Sequence, residues 1–350
     1  MLLNSLSLQN FRNYKKQVFS FSDNTGLIVG KNGSGKTNIL EAIYLLATGR
    51  SFRATKEQQM ILYGEEIGRV IGLVEGVSLE IVLTTGEVGG QRAPSKKYLI
   101  NGLGKRKMDF VGQVRAVLFR PEDIELVLGS PAERRHYLND VLEQVDREYR
   151  RSSLAYQKGL RQRNKLLERI REREAERKQL LFWDQILLRN GEVIFKKRQE
   201  YIEFINQKLQ GKTSELQLNY DFSAISPARL RQYADREVGA ASTLVGPHRD
   251  DFEFILKRRG KLKKNLAIYG SRGEQRMAIL AVKLNELEFI EEVTKDEPLL
   301  LLDDIFSELD EENRDVVLKL LDKHQTIITT TDEKLVPARF RKKVEIMRLR

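Results

Sequence analysis

The sequence predicts an α/β fold: a phosphate-loop mixed sheet and an antiparallel β lobe, with an all-helical arm inserted between two parts of the sheet domain. A glycine-rich loop, Gly30–Thr37, follows a short apolar run and precedes a helix-like segment at 38–47. Short runs with glycine punctuation at 69–103 are typical of antiparallel strands. A charged stretch without proline between Pro131 and Pro227 is typical of long helices.

The composition excludes several classes of function. The 350 residues contain no cysteine, which rules out disulfides, thiolate metal sites and cysteine nucleophiles. No apolar run approaches the roughly 18 residues of a membrane span, and the N-terminus lacks the pattern of a signal peptide. We therefore expect a cytoplasmic protein without a membrane span. The formal net charge of +11 favours a polyanionic partner, either nucleic acid or an acidic membrane surface.

The glycine-rich loop fits the pattern G-x-x-x-x-G-K-[ST] at every fixed position. Its backbone N–H groups can surround phosphates, Lys36 supplies a positive charge, and the Thr37 hydroxyl can bind Mg²⁺. The N-terminus of the following helix would face the same phosphates. The sequence thus predicts a nucleoside triphosphate site at Gly30, Lys31, Asn32, Gly33, Ser34, Gly35, Lys36 and Thr37.

The first 21 residues alternate like a strand pair around the turn 10–14. Its Arg12 and Asn13 belong either to a polar turn or to the edge of the nucleotide site, because the next strand leads into the phosphate loop. Spacing leaves both interpretations open.

The far edge of the predicted antiparallel lobe is basic. Such a cluster is compatible with a solvated edge, since lysines on edge strands prevent aggregation, and with a phosphate contact. The residues concerned are Lys96, Lys97, Lys105, Arg106 and Lys107.

The helical arm is predicted from about Pro131 to Leu209. Ser130, Pro131 and Glu133 form the pattern of a helix N-cap and capping box. Most of the arm's charges are expected to be solvated or to form pairs along the helix.

Two later segments carry candidate chemistry. Ser271 is placed to cap an apolar helix whose free N–H groups would point at an anion. The run of four leucines at 299–302 predicts a buried strand that ends in Asp303 and Asp304. Beside a phosphate loop, Asp303 would join the Mg²⁺ shell, and Asp304 would orient or deprotonate the attacking water. The alternative is a pair of solvated aspartates that cap the next helix.

The phosphate loop, Ser-x-Gly-Glu-Gln at 271–275, the leucine run with two aspartates, and Ser-Glu-Leu-Asp at 307–310 resemble in this order the ABC-type ATPases. A helical arm fills most of the gap of about 230 residues between the first two motifs, which resembles the SMC-like branch that acts on DNA. Within it, the segments Asn10–Tyr14, Pro121–Asp123 and Gly246–Asp250 resemble the RecF family of recombination mediators. The resemblance covers nearly the whole chain.

This resemblance implies an ABC-type ATPase head at 1–129 and 246–350, interrupted by the helical arm or lid at 130–245. It implies that ATP and Mg²⁺ bind and that ATP drives formation of a homodimer. In that dimer the signature segment of one subunit would meet the γ-phosphate held by the other. The signature residues are Ser271, Gly273, Glu274 and Gln275.

The resemblance also implies binding to gapped and duplex DNA, cooperation with RecR and RecO, and loading of RecA onto gaps coated by single-strand-binding protein. A weak, DNA-stimulated hydrolysis of ATP would release the dimer. Lys36, Asp303 and Asp304 are the implied catalytic residues. From charge we select these candidate DNA contacts: Arg134, Arg135, Arg150, Arg151, Lys257, Arg258, Arg259, Lys261, Lys263 and Lys264.

The chain departs from the usual ABC pattern at several positions. Asp304 replaces the common glutamate, and no histidine follows the last core strand, where Thr330 or Thr331 is a candidate substitute. Glu122 is the nearest polar residue where a glutamine is expected, and Arg272 lies where many members have glycine.

Three other classes share some of these motifs. A transporter ATP-binding subunit would not explain the basic charge or the long helical insertion. A structural SMC-type tether needs long coiled-coil arms, for which 350 residues leave no room. A phosphate-loop kinase would not need the signature at 271–275.

Overall fold

The computed structural model describes residues 1–210, 216–257, 263–307, 311–321, 323–341 and 344–349. The described chain divides into two compact units. The first unit comprises Met1–Asp123 and Ile290–Arg350, and the second comprises Ile124–Phe289. Residues 246–289, which the sequence analysis assigns to the head, thus pack in the second unit. Among the described residues, no helix is long and apolar enough to cross a membrane.

A parallel sheet forms the centre of the first unit. Within the described ranges it has five strands, in the order Ala116–Phe119, Leu299–Asp303, Thr326–Thr330, Gly26–Val29 and Glu345–Arg348. The leucines at 299–302 are completely buried, which confirms the predicted core strand. Because all the strands are parallel, their carboxyl ends share one edge, and this edge carries both the phosphate loop and Asp303.

An antiparallel sheet forms the other layer of the first unit. Its strands in the described chain are, in order, Tyr14–Ser20, Leu3–Phe11, Ile67–Val74, Val77–Thr84, Lys96–Ile100 and Leu103–Lys105. Alternate side chains of these strands are buried, including Leu6, Leu8 and Val70, and they share one apolar core with the helix that follows the phosphate loop. A Cβ atom at Gly72 would lie 2.6 Å from the Leu46 side chain, so glycine permits this close packing.

Helices and short connections complete the first unit. A two-stranded hairpin, Glu87–Val88 with Gln91–Arg92, extends the antiparallel lobe. The helical segments are Lys36–Thr48, Glu57–Met60, Lys107–Phe110, Pro121–Ile124, Ile305–Ser307, Glu311–Leu318, Glu333–Leu335 and Ala338–Arg341.

The second unit is mainly helical. Its helical segments are Glu125–Leu128, Pro131–Val145, Arg147–Arg171, Arg177–Gln179, Leu180–Leu209, Pro227–Ala240, Pro247–Arg249, Leu266–Tyr269 and most of Arg272–Thr294. Its antiparallel strands are Leu216–Asp221, Asp251–Leu256 and Lys264–Asn265.

The pairing of strands explains why 246–289 belongs to the second unit. Strand Asp251–Leu256 pairs along its whole length with Leu216–Asp221. Its Phe252 side chain joins a core that also contains Leu138 of the first long helix and Val282 of the signature helix. Residues of the arm and residues after it are therefore parts of one apolar core.

Some charged side chains of the arm form buried ion pairs that stabilise the second unit. Arg163 is buried, with its Nε 2.7 Å from Asp184 and its Nη2 2.8 Å from Glu237. Its Nη1 donates to the hydroxyl of Thr243 at 2.8 Å. This guanidinium joins both helices of the arm hairpin to helix Pro227–Ala240.

We expect Arg163→Met to destabilise the second unit by about 3–5 kcal/mol, because it leaves the completely buried Glu237 carboxylate without its cation. Arg161→Met, at an exposed position of the same helix, should change stability by less than about 0.5 kcal/mol. Urea unfolding followed by circular dichroism measures both. Equal midpoints for the two variants would contradict a structural role for the Arg163 ion pairs.

Candidate nucleotide site

The phosphate loop connects strand Gly26–Val29 to helix Lys36–Thr48, as predicted. The Gly30 N–H donates to the Thr330 carbonyl at 3.2 Å, which fixes the start of the loop to the neighbouring strand. Gly35 has φ of 100°, and a Cβ there would lie 2.7 Å from the Tyr14 hydroxyl. Glycine is needed at this position for both its backbone conformation and its lack of a side chain.

Lys36 lies inside the loop. Its ammonium donates to the carbonyl of Gly30 at 2.7 Å and to that of Lys31 at 3.0 Å, and the residue is only 7% exposed. The loop's own backbone therefore holds the positive charge at its inner side, where phosphate oxygens would compensate it.

Two buried hydroxyls, one beside the loop and one within it, test whether a phosphate ligand fits. Within the described part of the chain, the Tyr14 hydroxyl and Ser34 Oγ have no hydrogen-bond partner. Burial raises the pKa of Tyr14 to about 12, so its phenol keeps its proton and can donate. An unsatisfied buried hydroxyl costs about 1–3 kcal/mol, and a ligand with several acceptor oxygens would remove that cost.

The turn that contains Arg12 and Asn13 lies against the loop and its helix. Arg12 forms a bidentate ion pair with the completely buried Glu41, with Nε 2.7 Å from Oε2. Asn13 Oδ1 accepts from Asn38 Nδ2 at 2.8 Å, and the Asn13 amide also crowds Gly35. Asn13 is thus adjacent to the loop, whereas Arg12 anchors the helix behind it.

Asp303 is hydrogen-bonded from two sides. Its Oδ1 accepts from Thr37 Oγ1 at 3.0 Å and from Thr329 Oγ1 at 2.6 Å. Burial raises the pKa of Asp303, and the charges of Glu122 and Asp304 add to this, while the two hydroxyls oppose it. A dication would stabilise the ionised carboxylate, so Thr37 and Asp303 together suit Mg²⁺.

Asp304 begins a tight turn after the strand. It has φ of 50°, in the left-handed region that aspartate tolerates better than most residues. Its N–H donates to the carbonyl of Thr329 at 3.1 Å and to the Thr329 hydroxyl at 3.2 Å. The same threonine therefore holds both aspartates of the pair.

Thr329 is not among the site residues predicted from the sequence. The candidate substitutes for the usual histidine are its neighbours Thr330 and Thr331. The Thr330 hydroxyl instead donates to the Asp332 carbonyl at 3.0 Å, and Thr331 is exposed. Because side chains alternate along a strand, the sequence could have indicated that neighbouring threonines face opposite sides of the sheet. The pairing of Thr329 with Asp303, however, is known only from the register of the two strands. Glu308, Leu309 and Asp310 of the fourth motif lie outside the described residues.

The signature segment lies on the second unit. Ser271 and Glu274 form a reciprocal capping box: the Ser271 N–H donates to Glu274 Oε2 at 2.7 Å, and the Glu274 N–H donates to Ser271 Oγ at 3.3 Å. The Lys264 ammonium, 2.7 Å away, lowers the pKa of Glu274 to about 2, with help from the Ser271 N–H. Gln275 is buried and donates to the Leu266 carbonyl at 2.8 Å.

The first turn of this helix remains open to a partner. Ser271, Arg272 and Gly273 are exposed, and a Cβ at Gly273 would meet no described atom within 4 Å. The phosphate loop and both aspartates lie on the first unit, whereas the signature lies on the second.

Four of the candidate DNA contacts, Arg134, Arg135, Arg150 and Lys264, have partners within the protein. Arg134 is buried and forms a bidentate ion pair with Asp251 at 2.6 and 3.0 Å, so its guanidinium already has a partner within the protein. Arg135 and Arg150 donate to backbone carbonyls of the second unit. The exposed candidates are Arg151, Lys257 and Lys263. Those outside the described residues are Arg258, Arg259 and Lys261.

These features define a class of protein. A phosphate loop and an aspartate-ended strand share the carboxyl edge of a parallel sheet, an antiparallel sheet packs on the loop helix, and a capped signature helix follows a helical arm. This is the head of an ABC-type ATPase. Residues 2–348 match the family model described as RecF/RecN/SMC N terminal domain.

Similar proteins specify the family. The "DNA replication and repair protein RecF" of Cyanothece sp. is 37% identical over 369 residues, covering 99% of this chain and 96% of that protein. A solved structure of the recombination mediator protein RecF with ATP is 34% identical, with a TM-score of 0.84 over 95% of this chain and 92% of that one. A Smc head from Pyrococcus furiosus shares the fold, at 18% identity and a TM-score of 0.52 over 99% and 94% of the two chains. The chain belongs to the RecF family, and this membership implies that it binds and hydrolyses ATP.

We expect Thr329→Val to lower ATP turnover by about 10- to 100-fold, since residues that orient a metal ligand typically contribute that much. The valine cannot donate to Asp303 or accept from the Asp304 N–H, whereas Thr329→Ser keeps the hydroxyl and should retain most of the activity. Turnover as a function of Mg²⁺ concentration measures the effect, and nucleotide binding by fluorescence serves as the control. Wild-type turnover by the valine variant would show that the hydroxyl is dispensable.

Proposed function

We propose that the protein is an ATP-dependent DNA-binding protein of recombinational repair and replication restart in the cytoplasm. ATP joins two copies into a homodimer on duplex or gapped DNA. Together with partners of the RecR and RecO type, the dimer promotes loading of RecA onto gaps coated by single-strand-binding protein. Slow, DNA-stimulated hydrolysis of ATP then releases the dimer.

One observation carries the dimer in this proposal. The first turn of the signature helix, with Ser271 and Gly273, is exposed, although its capping residues are held firmly in place. The free N–H groups at a helix N-terminus favour an anion. A γ-phosphate held by the phosphate loop of a second copy would provide that anion. Proteins similar to this chain are described as acting in DNA replication and repair and in the RecFOR pathway, which supports the DNA and partner parts of the proposal.

The contacts of several residues support the roles proposed for them. Lys36 and the N–H groups of the loop bind the phosphates, and Asn13 lies at the rim of the loop. Mg²⁺, held by Thr37 and Asp303, would neutralise charge on the phosphates. Asp304 orients the attacking water. Its carboxylate is one methylene shorter than the usual glutamate, which agrees with slow hydrolysis.

The molar mass in solution, measured without nucleotide, with ADP and with ATP, tests the dimer. We expect a dimer only with ATP, more stable in the presence of gapped duplex DNA.

Lys36→Met should lose both ATP binding and the dimer, because it removes the charge inside the loop. Ser271→Arg should bind ATP as a monomer and fail to dimerise. The matched control is Gln199→Arg, which adds the same charge at an exposed position of the arm and should dimerise normally. A monomer under every condition would refute the proposal.

We expect Asp304→Asn to slow hydrolysis by about 100-fold, a typical effect of removing a general base, and to prolong the lifetime of the ATP-bound dimer. The amide keeps the size of the side chain but cannot take a proton from water. Single-turnover hydrolysis and the decay of the dimer after dilution measure the two effects. If the variant hydrolyses ATP slowly but its dimer decays at the wild-type rate, ATP cleavage does not control release of the dimer.

A further inference from the structure

The outer face of the antiparallel sheet carries a row of cations that the nucleotide site does not use. The strand register places Lys16, Gln9, Arg69, Val82 and Lys97 side by side across five neighbouring strands. With strands about 4.8 Å apart, the row is about 19 Å long. Its cations lie at both ends and in the middle, and all three are exposed.

Serine hydroxyls accompany these cations. Ser5, Ser7, Ser20 and Ser78 point to the same face, since the residues between them in each strand point to the core. Among the described residues, none of the four hydroxyls forms a hydrogen bond. They are short, neutral donors on the same face as the cations.

Negative charge on this face is already compensated. Glu80 is the acidic side chain that the described register places here, and its carboxylate lies 2.8 Å from Arg69. The Arg69 side chain nevertheless remains 44% exposed. Glu75, in the turn at one end of the sheet, pairs with the N-terminal amine. The face as a whole is therefore positive.

We infer that this outer face binds duplex DNA through its phosphodiester backbone. Lys16, Arg69 and Lys97 provide the charged contacts, and the serine hydroxyls, which lie in neighbouring rows of the same face, donate to further phosphate oxygens. A duplex carries one negative charge per roughly 1.7 Å of its axis when both strands are counted, so a length of duplex equal to the row carries about eleven phosphates. These contacts reach phosphate oxygens and no base edges, so the proposed binding is independent of base sequence. This inference rests on the proposed DNA-binding function and adds the surface that performs it.

A charge-reversal pair tests the inference. Lys16→Glu with Lys97→Glu removes both ends of the row, and Lys319→Glu with Lys334→Glu makes the same change of charge at exposed positions elsewhere on the first unit. Binding to a fluorescent duplex is measured by anisotropy with ATP and Mg²⁺, between about 50 and 200 mM salt. We expect the first pair to lose at least tenfold in affinity and to reduce the salt slope by about two, and the control pair to change little.

The outcomes separate this inference from the proposed function. If the wild type binds no duplex with ATP, the proposed function fails, and this inference fails with it. If the wild type and both variant pairs bind equally, only the outer face is refuted, since DNA then binds elsewhere.

Photo-crosslinking distinguishes DNA from a protein occupant of the same face. Because the chain has no cysteine, Ser7→Cys gives a single attachment point for a benzophenone label on this face, in the strand next to the edge strand. We expect crosslinks to labelled duplex, and none from the same label at Gln199→Cys on the arm. Crosslinks from position 7 only to a second copy or to a RecR-type protein would overturn the inference.

Discussion

The first unit depends on a carboxylate that is withdrawn from water. Asp303 ends a completely buried strand, and its burial has to be compensated by hydrogen bonds. The two donors come from different elements: Thr37 from the helix after the phosphate loop, and Thr329 from the neighbouring strand. One oxygen atom therefore fixes the loop helix relative to two strands of the sheet. The same oxygen belongs to the carboxylate proposed to bind Mg²⁺, so the contact that stabilises the fold would also prepare the proposed site.

A cluster of buried, hydrogen-bonded charged groups stabilises the second unit. Arg198 donates to Asp250 and to the Pro247 carbonyl, at 2.8 and 2.7 Å, and Asp250 also accepts from the Tyr220 hydroxyl at 2.6 Å. Removing one member of such a cluster leaves an uncompensated charge, which costs more than the pair contributes. The segment Gly246–Asp250, which carries part of the resemblance to the RecF family, joins the arm helix Leu180–Leu209 to strand Leu216–Asp221 through these contacts.

The sequence was most informative where local pattern and chemistry coincide. The phosphate loop, the leucine strand with its aspartates and the Ser271 cap each depend on a few adjacent residues, and the structure has them where they were expected. Thr329 was not recognised, because its role comes from strand register, and three threonines in a row look alike. The burial of Arg134 was also unpredictable, because its partner Asp251 is 117 residues away in the chain.

The order of strands in the parallel sheet has a consequence for synthesis. The strand that leads into the phosphate loop, Gly26–Val29, lies between Thr326–Thr330 and Glu345–Arg348. A ribosome therefore releases this strand long before either of its neighbours exists. The second unit is continuous in the chain and has its own core, so it can fold during translation. The early strands of the first unit still lack their partners at that stage. The nucleotide site is complete only when the last strands emerge, so a truncated chain would lack the sheet that holds its loop.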